Sequence, residues 1–574
     1  MKRKKIMKIF SVALASALML SVLSACGQQP VSSGKASSKA EESAASIGSA
    51  GSKAAETNAQ TETEKGLQPY EEPVTVSLFA RVDSTMNFKD GESMEDNLWT
   101  RLCKDKLNIN VEYKWVVTDD QYDQKMSIAI ASKDFADIMN FGVSDKNFKL
   151  LYDAGYLTDM TAAYDEYVSQ YTKSLLEADD GTAIKGGTFD GKLMGIPNTN
   201  ASIEQTNVLW IRADWLEKSG KSAPKTMEEL HDLAKAFQSA DYDGVGTVYG
   251  ISMDKGSETN AVASLPGIFA GFGAYPTRWI EKDGKLVYGS VQPETKEALS
   301  YLAQLYSEGL IDKEYGVKDG AKVGEDACSG KIGLFIGGHA APLWPLNATV
   351  NEEADWTPYP MPSVSGEPPV QVVGSAAMGG YYVATKDCEH PEALLKLMNL
   401  FTKTCFSDEG DPLYFITGDE YREPFKQAPV QAWPMTKNID VYKRIKEYRD
   451  TKDEAVINAN EETRQMFAFC QKYDETGVRE GGWDYKRIFD VGGSEAVLAD
   501  YRENGQVQYD GFYGAPTDTM SSKLSSLQKL EAQSFSQIIM GASSADEFDS
   551  FVSEWNKLGG SAITEEVNAW AEAR

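Results

Sequence analysis

Three consecutive pieces, 73-PVTVSLFAR-81, 97-NLWTRLCKDK-106 and 107-LNINVEYKWV-116, decide the fold class. The first and third are β-branched and alternate with period two, as half-buried strands do, and the piece between them is spaced like a short helix. A β-α-β start follows. Next, 136-ADIMNFG-142 reads as a third short strand ending in glycine, with helical spacing in 146-KNFKLLYDAGYLTDM-160 and across 160-MTAAYDEYVSQYTKSLLEA-178. Strands alternating with helices predict an α/β protein with a mostly parallel sheet covered on both faces. Ligands of such sheets sit beyond the carboxyl ends of the strands.

A second α/β unit begins at 206-TNVLWIRADWLEKSG-220, a strand running into a short helix. In 223-APKTMEELHDLAKAFQSA-240, Thr226 with Glu229 three residues on forms a capping box. An amphipathic helix is predicted within 290-SVQPETKEALSYLAQLYSEGLID-312, a buried strand within 330-GKIGLFIGG-338, and three helices between Leu524 and Trp570. No internal repeat is apparent.

Working outward to the amino end, Lys2, Arg3, Lys4, Lys5 and Lys8 precede an apolar run from Ile9 to Leu23, the order of an export signal. The run is near the lower limit for crossing a bilayer, which leaves a retained helix as the rival reading. Leu23-Ser24-Ala25-Cys26 resembles a bacterial lipobox, and this implies that residues 1–25 are a lipoprotein signal peptide and that Cys26 carries lipid at the head of the mature chain. Two or more acyl chains anchor stably where one does not. The Ser-, Ala- and Glu-rich tract that follows has almost no aromatic residues, so residues 26–73 are expected to form the lipidated Cys26 and a disordered tether. At roughly 45 residues, a random coil spans about 35–40 Å.

Of the 574 residues, those beyond Val74 have ordinary apolar content and no later run of transmembrane length. With the five basic side chains of residues 1–25 removed, the formal charge falls from −29 to −34, which argues against nucleic acid and against electrostatic binding to anionic lipid. Cys103, Cys328, Cys388, Cys405 and Cys470 show no CxxC spacing, so no metal cluster is implied. They are expected to be reduced and buried, although Cys388 and Cys405 could oxidise as the nearest pair.

The stretches 190-DGKLMGIP-197, 209-LWIRADWLEKSG-220, 283-DGKLVYGSVQPETKEALSYLAQLYSEGLID-312, 329-SGKIGLFIGG-338, 390-HPEALLKLMNLF-401 and 548-FDSFVSEWNKLGGSAITEEVNAW-570 resemble, in the same order, the family 1 extracellular solute-binding proteins of bacterial ABC importers. Their larger lipoprotein subgroup includes oligosaccharide binders. The resemblance implies a periplasmic-binding-protein-like fold, two α/β lobes joined by hinge strands with a cleft between them. It also implies ABC permease subunits as partners and an address on the extracellular face of the cell membrane, lipid-anchored. A monomer is expected. From the same likeness the first lobe is taken as 74–200 plus 360–410 and the second as 201–359 plus 411–574. Crossings are expected near Ile196–Thr206, at 357-TPYPMP-362 and between Phe406 and Trp433.

Chemistry is the competing class. The histidines are His231, His339 and His390, and none sits in an HExxH or GxSxG setting; His390, before Pro391, reads as a capping or surface residue. No glycine-rich P-loop occurs. A glycosidase needs only two spaced carboxylates, so composition alone leaves a glycan-active enzyme or adhesin open. No enzyme is expected from the resemblance. For cofactors, relatives in the subgroup often carry a calcium loop where this chain has 239-SADYDGVGTVYGIS-252; Asp241 and Asp243 begin it correctly, but Val245 stands where an oxygen ligand is required, so the loop is read as a turn without metal.

Sugar sites combine aromatic platforms with planar polar groups. Trp279, Trp344, Trp433 and Trp483 have Pro or Gly neighbours and are assigned to loops, where each either stacks on ligand or packs its loop down and one or two are expected to line the cleft, whereas Trp210, Trp215, Trp555 and Trp570 are assigned to the core. Arg81 and Asp83 at the end of the first strand, Asn198 and Asn200 after 195-GIP-197, Tyr381 in 379-GGYY-382 and Tyr513 complete the candidates. The expected ligand is an oligosaccharide, with a peptide or other nutrient as the alternative.

Overall fold

The computed structural model describes residues 64–573 apart from 84–85, 90, 142–145, 257–261, 350, 352, 408–409 and 416–422. The expected signal, Cys26 and the tether as far as residue 63 lie outside the described residues.

Fourteen strands are used below: β1 (Val74–Val82), β2 (Ile109–Thr118), β3 (Ile138–Phe141), the hairpin β4 (Thr188–Phe189) and β5 (Lys192–Leu193), β6 (Ile196–Pro197), β7 (Val208–Arg212), the hairpin β8 (Trp279–Lys282) and β9 (Lys285–Tyr288), β10 (Leu334–Gly337), β11 (Trp356–Tyr359), β12 (Gln371–Val373), β13 (Tyr381–Ala384) and β14 (Val507–Tyr509). The first sheet has the order β2-β1-β3-β13-β6. β1 pairs in parallel with β2 and β3, and β13 runs antiparallel to both β3 and β6. The expected β-α-β start is present, with the helix Leu98–Leu107 opened by a capping box from Asn97 and Thr100.

The second sheet, β10-β7-β11, is antiparallel throughout. Every residue of β7 and β10 is buried, which is why both read as continuous apolar runs. Around it pack the helix Met227–Ala240 with the predicted Thr226 and Glu229 box, Pro293–Ser307, and the terminal helices Asp518–Ile539, Glu547–Trp555 and Ser561–Glu572. The result is two α/β lobes, each with its own core.

Five expectations need correction. Residues 357–362 do not cross between lobes: Trp356–Tyr359 is β11, and Pro358 is tolerated because β11 pairs only with β7. Met361 belongs to the second core, and β12 pairs with β14, so 360–373 stays with the second lobe. Conversely Phe415, Ala428, Val430 and Ala432 pack in the first core, so the described residues 411–415 and 423–433 belong there and not to the second lobe. Finally, the tether does not extend to residue 73. Lys396 Nζ donates to the carbonyls of Lys65 and Gln68, Asn399 Nδ2 to that of Gly66, and the Tyr70 hydroxyl to Glu392, strapping 65–70 onto the helix Ala393–Phe406. The helix expected over 160–178 is also broken, into Thr161–Tyr167 and Gln170–Leu176. Ser169 caps the second piece while its own N–H donates to Asn399.

The three crossings lie side by side at Thr199–Asn200, Ser375–Ala376 and Trp433–Pro434. The N–H of Asn200 donates to the Ala376 carbonyl at 2.8 Å, the N–H of Trp433 to the Thr199 carbonyl at 2.9 Å, and the Thr199 hydroxyl returns to the Trp433 carbonyl at 2.9 Å. Four of the cysteines beyond Cys26 are buried, Cys388 is half-buried, and all five are free thiols. Burial pushes the thiols up, Cys103 to about 12 and Cys388 to about 11, so they stay protonated and unreactive.

Candidate cleft between two sheet edges

The topology decides which side chains can meet a ligand. β1, β2 and β3 run parallel, so Arg81 with Asp83, Thr118 and Phe141 mark one edge of the first sheet. β13 and β6 are registered with Tyr381 opposite Phe141 and Pro197, which puts Met378 and Asn198 at the same edge. In the second lobe Gly337 stands opposite Val208, the first residue of β7. The chain leaves the first edge at Pro197 and enters the second at Val208, so both edges flank the crossings.

On the first edge, Arg81 is exposed, pairs with Asp119 at 3.5 Å and lies over the Tyr122 ring at 5.6 Å. Asp83 is held by Lys426 at 3.3 Å, and Lys426 also reaches Glu423 at 2.6 Å. Asn198 donates to the Tyr382 hydroxyl at 3.3 Å, which also accepts from the Gln431 N–H at 3.1 Å. Burial drives that phenol up to about 12. Asn200 is exposed, its Oδ1 accepting from the Ala201 N–H. Met378 is exposed.

On the second edge, the loop after β10 carries His339 and Trp344, a residue 54% exposed. His339 lies between two carboxylates, with Nε2 3.2 Å from Glu204 and Nδ1 2.6 Å from Glu495. Burial alone would lower its pKa, but the two carboxylates outweigh it and raise the imidazolium to about 10. Glu495, wholly buried, is raised by burial against the pull of His339. Glu204 is lowered, burial being overcome by His339 and Lys437, and it also accepts from Asn438 at 2.6 Å. The three side chains are close enough to suggest a cation site, yet the two carboxylates address opposite nitrogens of one ring, which fits an ion-paired imidazolium rather than chelation.

Several predicted site residues pack against the protein itself. Trp279 is 5% exposed in β8 and packs against Tyr288 and Phe512; its flanking Pro and Gly belong to the hairpin's turns, not to an open loop. Trp483 is 1% exposed and donates to Asp355 at 3.2 Å with Arg479 stacked on its face. Tyr381 is 2% exposed, and its hydroxyl donates to the Ala183 carbonyl. Trp433 is half-buried at the third crossing, wedged among Phe401, Phe406, Phe415 and Phe425. Tyr513 is half-buried edge-on to Trp570. Of the predicted core tryptophans, Trp210, Trp215 and Trp555 are buried and Trp570 partly so.

Asp241 ends its helix in the left-handed region and accepts from the N–H groups of Val245 and Gly246, a self-closed turn. Asp243 is engaged by Arg212 and by Trp215 Nε1 at 3.1 Å. Both carboxylates are thereby committed to protein donors. His231 pairs with Glu308, and His390 pairs with Glu392 beside the Tyr70 ring. Sequence reasoning missed Glu204, His339, Met378 and Lys426. A signal for His339 existed: it follows Gly337–Gly338 directly after a buried strand.

Residues 87–404, more than half of the chain, match the family model described as bacterial extracellular solute-binding protein. The chain is 28% identical to lipoprotein LipO of Bacillus subtilis over 228 residues, 39% of this chain and 43% of that protein. It is 28% identical to the polygalacturonan/rhamnogalacturonan-binding protein YtcQ of the same organism over 235 residues, 40% of this chain and 44% of that protein. The chain thus spans less than half the length of these curated relatives. The solved structure of the Streptococcus pneumoniae ABC-transporter substrate-binding protein FusA in complex with kestose superimposes with a TM-score of 0.55 at 16% identity, over 87% of this chain and 99% of that one. At that identity the likeness speaks for the fold.

Proposed function

Because the chain belongs to the bacterial extracellular solute-binding protein family, we propose that it captures an oligosaccharide between its two lobes and hands it to an ABC permease while the lipid on Cys26 holds it to the outer face of the membrane. The observation that carries the reading is the arrangement at the crossings. Two sheet edges flank three hydrogen-bonded crossings, with an exposed indole, Trp344, on one edge and the amides Asn198 and Asn200 on the other. An indole face matches the C–H face of a sugar ring, and amides match its hydroxyls. The relatives named for polygalacturonan and fructooligosaccharide support the same ligand class.

The mechanism needs no covalent step. A ligand that touches both edges binds the closed arrangement more tightly than the open one and shifts the population toward it, with bending confined to the crossings. The tether keeps the lobes near the permease and raises their effective concentration. A thermal-shift screen against oligosaccharides and peptides tests the reading. A ligand at about 100 times its dissociation constant stabilises by about 2.7 kcal/mol, and the sugar must be recovered intact. Stabilisation by peptides alone, or consumption of the sugar, contradicts it.

A further inference from the structure

Resting on the oligosaccharide reading, we infer that His339 is a positioning residue of the site: held between Glu204 and Glu495, it fixes the loop 338–346 so that the Trp344 indole meets the sugar at a set place relative to the crossings. Trp344 follows His339 by five residues, and a run of tight turns joins the two. The Ala340 carbonyl accepts from the N–H groups of Leu343 at 3.0 Å and Trp344 at 3.4 Å, and the Ala341 carbonyl from that of Leu346 at 3.1 Å. Ala341 and Leu346 are buried in the core beneath the loop, and the Cys328 thiol donates to the Pro345 carbonyl at 3.1 Å. The carboxyl end of the loop is thereby seated, with the exposed Trp344 standing on it.

The amino end is seated through His339. Trp210 Nε1 donates to the Gly338 carbonyl at 3.0 Å, and the Ser494 hydroxyl to the His339 carbonyl at 2.8 Å. The ring then reaches two elements at once, Nε2 lying 3.2 Å from Glu204 and Nδ1 2.6 Å from Glu495. Glu495 is on the helix Ser494–Glu503, and Glu204 is in the turn Ser202–Gln205, just past the first crossing. Glu204 also accepts from Asn438 at 2.6 Å, on the helix Lys437–Thr451 that follows the third crossing. The loop is thus tied to the segments that leave two of the three crossings. Imidazole suits the place because its two nitrogens donate along fixed, opposed directions, so both carboxylates can be met only in one orientation of the ring. Lysine's single ammonium on a flexible stem would not fix the main chain in this way. Glu495 is wholly buried, and in such surroundings a fully partnered polar network is rigid. An aromatic platform already in place costs the ligand less ordering than one that must be gathered. His339 therefore acts on the sugar through Trp344, its own ring nitrogens being taken by the carboxylates.

The experiment is isothermal titration of the purified full-length chain with maltotetraose, xylotetraose, nystose and tetragalacturonate, followed by a double-mutant cycle on the tightest binder. One arm of the cycle is Trp344→Ala. The other is His339→Gln together with Glu495→Gln, which removes both charges so that no bare carboxylate is left buried, and melts of the free chain check that it folds. Expected is about a tenfold loss of affinity when Trp344 is present and less than about a twofold loss when it has been replaced by alanine. A role confined to stability would leave the affinity of the folded chain unchanged or lower it equally in both backgrounds, and either result overturns the inference. Should the paired variant not fold, Glu204→Gln takes its place, because that side chain is 24% exposed; its expected loss is about threefold, again only beside Trp344. A sugar that binds the parent chain and Trp344→Ala equally would overturn the inference while leaving the importer reading intact. Binding of peptides and of no sugar would overturn the oligosaccharide reading, and the inference with it.

Discussion

Asp243→Ala separates a structural role for the 241–246 loop from a metal-binding one. Arg212 is fully buried, its Nε and Nη2 each 2.7 Å from Asp214 and its Nη1 2.8 Å from Asp243, with the guanidinium 4.8 Å from the centre of the Trp215 ring. Removing Asp243 leaves half of a buried guanidinium without a counter-charge and strips the Trp215 N–H of its acceptor. Breaking a buried pair costs about 3–5 kcal/mol, and the lower figure applies because Asp214 keeps its bidentate grip. The expected loss is about 3 kcal/mol, read by scanning calorimetry as a fall of about 6–12 °C in the midpoint of the second lobe. Burial opposes ionisation of Asp243, but Arg212 prevails and holds the carboxyl below its ordinary 3.8. The stabilisation is therefore present above that value and lost as pH falls through the lower folded-state pKa. Asp243→Asn keeps the shape and is expected to lose less. Added calcium is expected to leave the wild-type midpoint unchanged. A midpoint raised by calcium in the wild type and not in Asp243→Ala, or a loss below about 1 kcal/mol, would refute the reasoning.

Trp344→Ala is expected to weaken oligosaccharide binding by about 30-fold, the equivalent of about 2 kcal/mol, with little change in stability because the residue is already 54% exposed; titration calorimetry beside a melt checks both. Deleting residues 64–73 removes the carbonyls that hold the Lys396 ammonium and is expected to cost about 3 kcal/mol in urea unfolding, whereas a start at residue 64 costs nothing. Gly66→Ala tests the same strap, because a Cβ there would stand 1.8 Å from the Tyr167 carbonyl oxygen, and melts should show it lowering the midpoint about as much as the deletion does. Burial raises the Glu531 carboxyl to about 7 although it accepts from Ser290 at 2.8 Å. The folded state thus keeps a proton that the unfolded state loses near 4.5, so stability should fall by about 3 kcal/mol between pH 4.5 and 7 and level off above. Glu531→Gln should remove that slope in a pH series of urea melts.

The fold class was legible because period-two runs at β1 and β2 and helical spacing between them have one reading, and because β7 and β10 are apolar along their whole length. The lobe boundaries were not. Pro358 and Pro360 suit an extended crossing, but an edge strand accepts proline as well, and the residues of 411–433 carry no mark of which core their aromatic members enter. The strap at 65–70 was hidden because its bonds run through main-chain carbonyls, which any composition offers. Exposure of the candidate residues was legible where it follows from chain position, as for Arg81 and Trp344. It failed at Trp279, Trp483 and Tyr381, where a flanking Gly or Pro marks a turn but says nothing about which way the ring packs. His339 escaped notice because its partners, Glu204 and Glu495, are brought to it only by the fold.

The central claim is that an oligosaccharide is held between the two lobes by closure about the crossings at Thr199–Asn200, Ser375–Ala376 and Trp433–Pro434. Small-angle X-ray scattering of the full chain, with and without a saturating tetrasaccharide that binds, tests it most directly. The account predicts a smaller radius of gyration with sugar bound, and the same contraction in Trp344→Ala only at about 30-fold higher sugar concentration. A saturated protein whose scattering curve is unchanged would contradict it.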